Sequence, residues 1–420
     1  YESNSHQLWL TGENEAGQIG DNTIIDRSSP VQLPGIYLKA FRGDSKTALA
    51  NKIDNTLWFW GRNTYGQAAQ NTQTPGYSSP VQIPGTWTRV KGGAMSCGIK
   101  DDGTLWTWGF NNGGALGQNN VIHAPTGNVD NRSSPVQIPG TYTKLTSSSY
   151  SSFATKSDGA LWVWGYGNQG QLAQGNLTQY SSPVQIPGST WSTVEGGNST
   201  YMAAATKTDG TAWVWGYNGY GAMGVNQPTN YRRSSPVQIP GTTWSRIAPS
   251  DQFYTTMGVK SDGTLWAMGA GTDGSLGLNQ PSGTYVSSPT QIPGTTWTTE
   301  ITGGNKTWLA VKSDGTLWTW GENSSGTLGQ NQAYAQLSAA SSPIQIPGTW
   351  KHAARLGHGS VMAAKTDGTL WAWGYNADGN RAGLLGLNDK INRSSPTQIP
   401  GTSWDKAFSS INQGYAIKQL

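Results

Sequence analysis

Cysteine occurs once in the 420 residues, at Cys97. A single thiol excludes an internal disulfide framework and any zinc site built on cysteine, so stability has to come from packing alone. Charge is scarce as well: Asp, Glu, Lys and Arg make up 12% of the chain, about half the usual share. The 27 basic and 23 acidic side chains leave a net +4 without a long Lys/Arg run, which argues against nucleic acid as a partner. No apolar stretch approaches the length of a membrane-crossing helix, so no membrane insertion is expected in this segment. The opening residues, Tyr1 to His6, lack the basic and apolar regions of a secretory leader, and the absence of an initiator Met leaves a cleaved leader or a longer preceding part equally open.

What the chain has instead is 57 Gly, 21 Pro and 21 Trp, the composition of a turn-rich, aromatic-rich fold with little helix. The tryptophans are ordered. A Leu-Trp-x-Trp-Gly string, with small variations, recurs eight times, its first Trp at Trp9, Trp58, Trp106, Trp162, Trp213, Trp266, Trp318 and Trp371. A second string, SSPVQIPG with variations, alternates with it, its first proline at Pro30, Pro80, Pro135, Pro183, Pro236, Pro289, Pro343 and Pro396. In residues 96–109, SCGIKDDGTLWTWG, two β-favouring runs flank an Asp-Gly turn, the signature of a hairpin. PVQIPG alternates with a period of two and is bounded by proline, so it reads as a short edge strand. A Gly-Thr-aromatic segment and one more short strand complete each repeat.

Four short strands per repeat, and no helical period, predict an all-β fold: an eight-bladed β-propeller of four-stranded blades. Residues 1–420 then form a single domain of eight repeats of about 52 residues, one of them split between the termini. Residues 411–420 resemble the strand that elsewhere precedes the Asp-Gly turn, and residues 6–12 its partner, so pairing of the N- and C-terminal strands is expected to close the ring. The same complementarity would also support head-to-tail exchange between chains. The repeat-position tryptophans Trp58, Trp106, Trp162, Trp213, Trp266, Trp318 and Trp371 are expected to serve as structural core in the wedges between blades.

Chemistry-bearing residues are sparse. The four histidines, His6, His123, His352 and His358, have no metal-ligand spacing, and Asp102, Asp158, Asp209, Asp262, Asp314 and Asp367 fall at hairpin turns, where carboxylates bond local backbone. Asn14, Asn63, Asn111, Asn218, Asn323 and Asn376 likewise read as turn formers. No nucleophile elbow, phosphate loop or dinucleotide fingerprint stands in context, so neither an enzyme nor a cofactor is expected.

The run TLWTWGENSSGTLGQN at residues 316–331, following a Lys-x-Asp-Gly turn, resembles the regulator of chromosome condensation repeat, and the resemblance extends over all eight copies. Kelch repeats share the period and a double glycine, seen at Gly92-Gly93, Gly196-Gly197 and Gly303-Gly304, but lack the SSPVQIPG segment. The resemblance implies a propeller, seven-bladed in most familiar members. It spans exchange factors for small nuclear GTPases, a plant ultraviolet photoreceptor, secreted bacterial inhibitors of β-lactamase, and many bacterial and phage proteins. The near-identical copies and Ser, Thr, Asn and Gly richness are most similar to the prokaryotic and phage members.

Repeat lengths differ mainly between the Leu-Gly end of one string and the next SSP, so these connections share one face and form the candidate binding rim. Arg27, Tyr77, Arg132, Tyr180, Tyr231, Arg232, Arg233 and Arg393 stand there, just before SSP, suited to an anionic glycan or an acidic protein patch. The function expected is a non-enzymatic adhesion or binding module on a bacterial cell surface, appendage or phage virion, recognising a surface protein or glycan, with self-association or a larger assembly as a further option. A secreted inhibitor resembling the β-lactamase type is the second expectation, and a GTPase exchange factor a more distant one.

Overall fold

A computed structural model describes residues 6–41, 43, 45–120, 130–148, 150–197, 201–227, 230–250, 254–304, 306–378, 381–409 and 412–419; His123 lies outside them. The repeat unit is seen in Trp191–Gly196, Met202–Lys207, Ala212–Asn218 and Tyr231–Gln238, four antiparallel strands paired in chain order. Four further sheets of four strands repeat that order. Their outermost strands are Lys144–Ser148 and Tyr180–Gln185, Trp244–Pro249 and Thr284–Ile292, Trp297–Gly304 and Ala339–Ile346, and Trp350–Arg355 and Arg393–Ile399. Apart from the two-residue strands Ala377–Asp378 and Arg381–Ala382, which pair with each other, the remaining strands join one 11-stranded sheet running from Trp404–Ser409 through Gln413–Gln419 and His6–Gly12 to Arg132–Thr141. Inside it, the long strand Gly76–Lys91 pairs with Thr56–Arg62 by its first half and with Met95–Lys100 by its second. His6–Gly12 touches Tyr37–Phe41 through one pair only, His6 and Tyr37. The protein is an all-β propeller of four-stranded blades.

The two recurrent strings meet at the junctions between blades. In the Gly-x-x-Gly segment after each Trp-Gly, the first glycine has positive φ, and a Cβ on it would press against the backbone of the next repeat's SSP: 2.6 Å from Ser78 Cα for Gly17, 2.5 Å from Ser133 for Gly66, 2.2 Å from Ser28 for Gly383. Glycine meeting serine lets two backbones approach closely. A few residues on, the amide of Asn22 donates to Ser78 O, and the same bond recurs from Asn71 to Ser133, Asn119 to Ser181, Gly175 to Ser234, Asn226 to Ser287, Asn279 to Ser341, Asn331 to Ser394 and Asn388 to Ser28, at 2.5–2.7 Å. The last of these joins the C-terminal part of the chain to the N-terminal part. So does the register of His6–Gly12 on Gln413–Gln419, unbroken from His6 opposite Gln419 to Gly12 opposite Gln413.

Tryptophan fills the wedges. Six of the eight strings have a second Trp (Thr11 and Met268 replace it in the others); each is fully buried, and its indole N–H donates to a backbone carbonyl of the preceding repeat: Trp60 to Gln18, Trp108 to Gln67, Trp164 to Ala115, Trp215 to Gln171, Trp320 to Ser275 and Trp373 to Thr327, all within 3.1 Å. Burying each such ring stabilises by about 3 kcal/mol or more, and the hydrogen bond keeps its one polar atom satisfied. The first-position residues Trp58, Trp106, Trp162, Trp213, Trp266, Trp318 and Trp371 are half-buried and pack against these clusters from the side. Each lies beneath a lysine of the adjacent strand, with Nζ 3.7 Å from the ring centre of Trp58 and 4.7 Å from that of Trp213 at the two extremes. Their position next to the open Asp-Gly turn explains why they stop short of the interior: the sheet ends there and solvent reaches the ring edge.

Candidate binding faces

Because strand direction alternates, each blade puts its first-to-second and third-to-fourth connections at one end of the disc and its Asp-Gly hairpins at the other. The variable connections therefore share the loop end with the turns that precede each second strand.

At the loop end the register places Arg27, Tyr77, Arg132, Tyr180, Arg233, Val286, Ala340 and Arg393 opposite the eight Trp-Gly glycines. The candidate rim residues Arg27, Tyr77, Arg132, Tyr180, Arg233 and Arg393 thus occupy one equivalent position in six different blades, with Tyr231 and Arg232 just before Arg233, and they do not converge. Most have local partners. Arg27 bridges Asp21 at 2.5 Å and Arg132 bridges Asp130 at 2.7 Å, while Arg393 pairs with Asp389. Arg233 lies over the Tyr231 ring at 4.8 Å and donates to its hydroxyl, and Arg232 donates to Gln169 at 2.6 Å. Tyr77 and Tyr180 are tied to Thr72 and Asn176. Half-exposed ion pairs of this kind contribute at most about 1 kcal/mol each, and they neutralise three arginines that a free anion would need.

The same end carries an aromatic surface that the repeat strings did not announce. Tyr65, Phe110, Tyr150 and Tyr166 follow one another at centroid distances of 4.5, 6.0 and 6.4 Å. A tighter cluster is formed by Tyr217, Tyr254, Tyr220 and Tyr285, with Tyr220 stacked on Tyr285 at 5.0 Å and 24°. Tyr220 is 38% and Tyr285 53% exposed. Burial, reinforced by Tyr217, Tyr220 and Tyr201, raises the Tyr254 hydroxyl above its ordinary range. The signal was available in the turns before the second strand, where Tyr150, Tyr201 and Tyr254 take equivalent places.

The hairpin end is built from a relay. The Trp106 indole donates to Thr104 Oγ1 at 2.8 Å, and that hydroxyl donates to Asp102 at 2.6 Å. Asp54, Asp209, Asp262, Asp314 and Asp367 head the same relay. Hydrogen bonds from the threonine side chain, then from its amide, hold each of these carboxyls below the usual carboxylate range. A depressed folded-state value means stability that is present above the unfolded value, near pH 4, and is lost as pH falls through the folded one. Thermal scans between pH 5 and 2.5 should show a steep acid limb, flattened when Asp54, Asp102, Asp262 and Asp314 are changed to Asn together.

The six turn asparagines are structural. Each accepts the amide of a residue further along its segment, as Asn63 does from Ala68 at 2.8 Å and Asn323 from Leu328 at 2.9 Å, and all six are buried. Cys97 is buried and its thiol is pushed up to about 12 by that burial, which leaves it inert as a nucleophile. Among the described residues no group of three or more His, Cys, Asp and Glu could hold a metal ion.

Residues 102–154 and 158–204 match the family model of the regulator of chromosome condensation (RCC1) repeat. Those two stretches, about a quarter of the chain, are similar to the RCC1 repeat. Among curated proteins, the ultraviolet-B receptor UVR8 of Arabidopsis thaliana is 25% identical over 212 residues, 49% of this chain and 45% of the receptor. The mitochondrial RCC1 domain-containing protein RUG3 of the same plant is 26% identical over 273 residues, 61% of this chain and 58% of RUG3. The chain thus spans about half the length of these eukaryotic relatives. Among solved structures, Prp20p from Saccharomyces cerevisiae superposes with a TM-score of 0.65 over 100% of this chain and 93% of its own, at 15% identity. Human WBSCR16 gives 0.65 over 99% and 100%, at 16% identity. At such identities the likeness is one of propeller fold.

Proposed function

We propose that this chain is a non-enzymatic recognition propeller that holds a protein partner on its loop end, centred on Tyr217, Tyr220, Tyr254 and Tyr285. The observation that carries the reading is strain. Tyr201, Tyr220 and Tyr254 have φ of 52°, 53° and 53°, in the left-handed region. That region costs a tyrosine roughly 1–2 kcal/mol, and the place of Tyr220 is taken in other repeats by Gly113, Asp273 and Ser325. A backbone strained to hold aromatic rings at the surface fits a binding function, since tyrosines give large contact area at low entropic loss.

In finer terms, the 11-stranded sheet divides at the single His6–Tyr37 pair and within Gly76–Lys91 into three sets of four. With the five separate sheets, this makes eight blades closed by the terminal strands. The eight recurrent junction bonds support that count. The near-identical copies and the Ser, Thr, Asn and Gly richness support a prokaryotic or phage repeat working on a cell, appendage or virion surface. A soluble inhibitor would use the same face.

The test is binding of labelled chain to a panel of whole bacterial cells and immobilised glycans. Tyr220→Gly should lower binding to cells about tenfold or more while leaving Tm nearly unchanged, because relief of the left-handed strain offsets the lost ring contacts. Binding to glycans alone, or binding indifferent to Tyr220→Gly and Tyr285→Ser, would overturn the reading.

A further inference from the structure

The first strands of successive blades lie side by side around the propeller axis. Along each of them, alternate residues point away from the axis into the wedges: Ala40, Val90, Ile247, Ile301, Ala353 and Ala407 are buried there. The intervening residues therefore face the axis. Two positions beyond the aromatic that opens the strand, and three beyond Trp297, where the strand carries one extra residue, these are Lys39, Arg89, Lys144, Thr193, Arg246, Glu300, His352 and Lys406, of which six carry basic groups and one an acid. They come from different repeats, roughly fifty residues apart, and the fold gathers them at the hairpin end of the channel.

Charge within the ring is unbalanced. Arg246 grips Glu195 with two bonds of 2.7 and 3.1 Å and also donates to Thr299 O and Ile301 O. His352 Nε2 stands 3.6 Å from Glu300, and Asp405 is held by Lys351 on the outer side. Lys39 and Lys144 donate to backbone carbonyls of the next blade, Thr88 O and Ser192 O, and Lys39 also lies over the Phe41 ring at 4.9 Å. Arg89 and Lys406 are exposed, and neither forms an ion pair among the described residues, though Lys406, after Lys351, helps to hold the Asp405 carboxyl below its usual range. Burial, and then the neighbouring charge of Arg89, lower the pKa of Lys39, as expected for cations crowded without counter-charge. Immediately below lies a polar cavity of about 220 Å³ lined by Lys91, Thr146, Ser147, Glu195, Arg246 and Thr302 among others.

We propose that this axial ring binds a compact polyphosphate-class anion, which enters from the hairpin end and is shared between Lys39, Arg89, Lys144 and Lys406. Cations set in a cleft with low-dielectric walls focus their field on the axis, and guanidinium and ammonium groups are strong donors to phosphate oxygens. The site is independent of the tyrosine surface, which lies at the opposite end of the disc.

The experiment is calorimetric titration of the full chain with inorganic tripolyphosphate at low ionic strength. Saturable one-to-one binding is expected, weakened by salt, with affinity reduced about tenfold by Arg89→Gln and again by Lys406→Gln. Both side chains are exposed and make no described bond, so these variants should keep the parent Tm. Lys390→Gln, at the exposed loop end, should bind like the parent. No saturable binding, equal weakening by Lys390→Gln, or full affinity in the Arg89→Gln/Lys406→Gln double variant would overturn the proposal. So would a duplex DNA that binds through the ring where tripolyphosphate does not.

Discussion

Gly321→Ala is expected to cost about 4 kcal/mol or more of stability, read as the shift in a urea unfolding midpoint, and to leave little folded chain at 37 °C. Gly321 has φ of +100°, and a Cβ there would sit 1.9 Å from the carbonyl oxygen of Lys306, which is backbone and cannot swing away. The same carbonyl accepts the Glu322 amide at 3.2 Å, so moving it breaks the turn into the second strand. The geometry is repeated. At Gly12, Gly61, Gly109, Gly165, Gly216, Gly269 and Gly374, φ lies between 92° and 112°, and the added carbon would meet an equivalent carbonyl at 2.1–2.5 Å. Gly283→Ala is the control: its φ is +86°, yet nothing lies within 4 Å of the added carbon. That variant should lose only the roughly 1–2 kcal/mol of a positive φ. Equal losses at the two sites would mean that the carbonyl contact carries no weight.

This glycine also shows how much of the fold could be read in the residues. Trp-Gly, Gly-x-x-Gly and SSP recur because each answers a contact made once per blade, so repetition itself announced the strands, the hairpin turn and the wedge tryptophans. The rim was legible in place and not in partnership. Arg27, Arg132 and Arg393 do line one end, but Asp21, Asp130 and Asp389, two to six residues earlier, already hold them, and an acid at varying distance in a loop of varying length makes no pattern. The axial ring escaped for the opposite reason. Lys39, Arg89, Lys144, Arg246, His352 and Lys406 vary in type and sit between invariant strings; only aligning the eight copies in columns, two residues past the aromatic, brings them together. Tyr254 could have been found by its equivalence with Tyr150 and Tyr201, but the strain at Tyr220 and Tyr254 was hidden, because φ is a property of the backbone path and not of the residue type.

Removing residues 413–420 should be the most damaging change of all, leaving a chain that aggregates on expression. The strand Gln413–Gln419 pairs with His6–Gly12 on one side and Trp404–Ser409 on the other, and it buries Tyr415, Ala416 and Ile417. Losing two fully buried large side chains removes about 3–6 kcal/mol by area alone, a large part of the 5–15 kcal/mol that holds an ordinary domain together. It also opens two sheet edges, and unpaired edges recruit other chains. Refolding with a synthetic INQGYAIKQL peptide should restore a soluble particle. A second variant separates closure within one chain from exchange between chains: Gln7 and Lys418 face each other in register, and both are half-buried. With Cys97 buried, Gln7→Cys/Lys418→Cys should oxidise to a bridged monomer that runs faster than its reduced form on a denaturing gel. A ladder of covalent oligomers at micromolar concentration would show instead that each chain lends its last strand to a neighbour, the geometry that builds filaments.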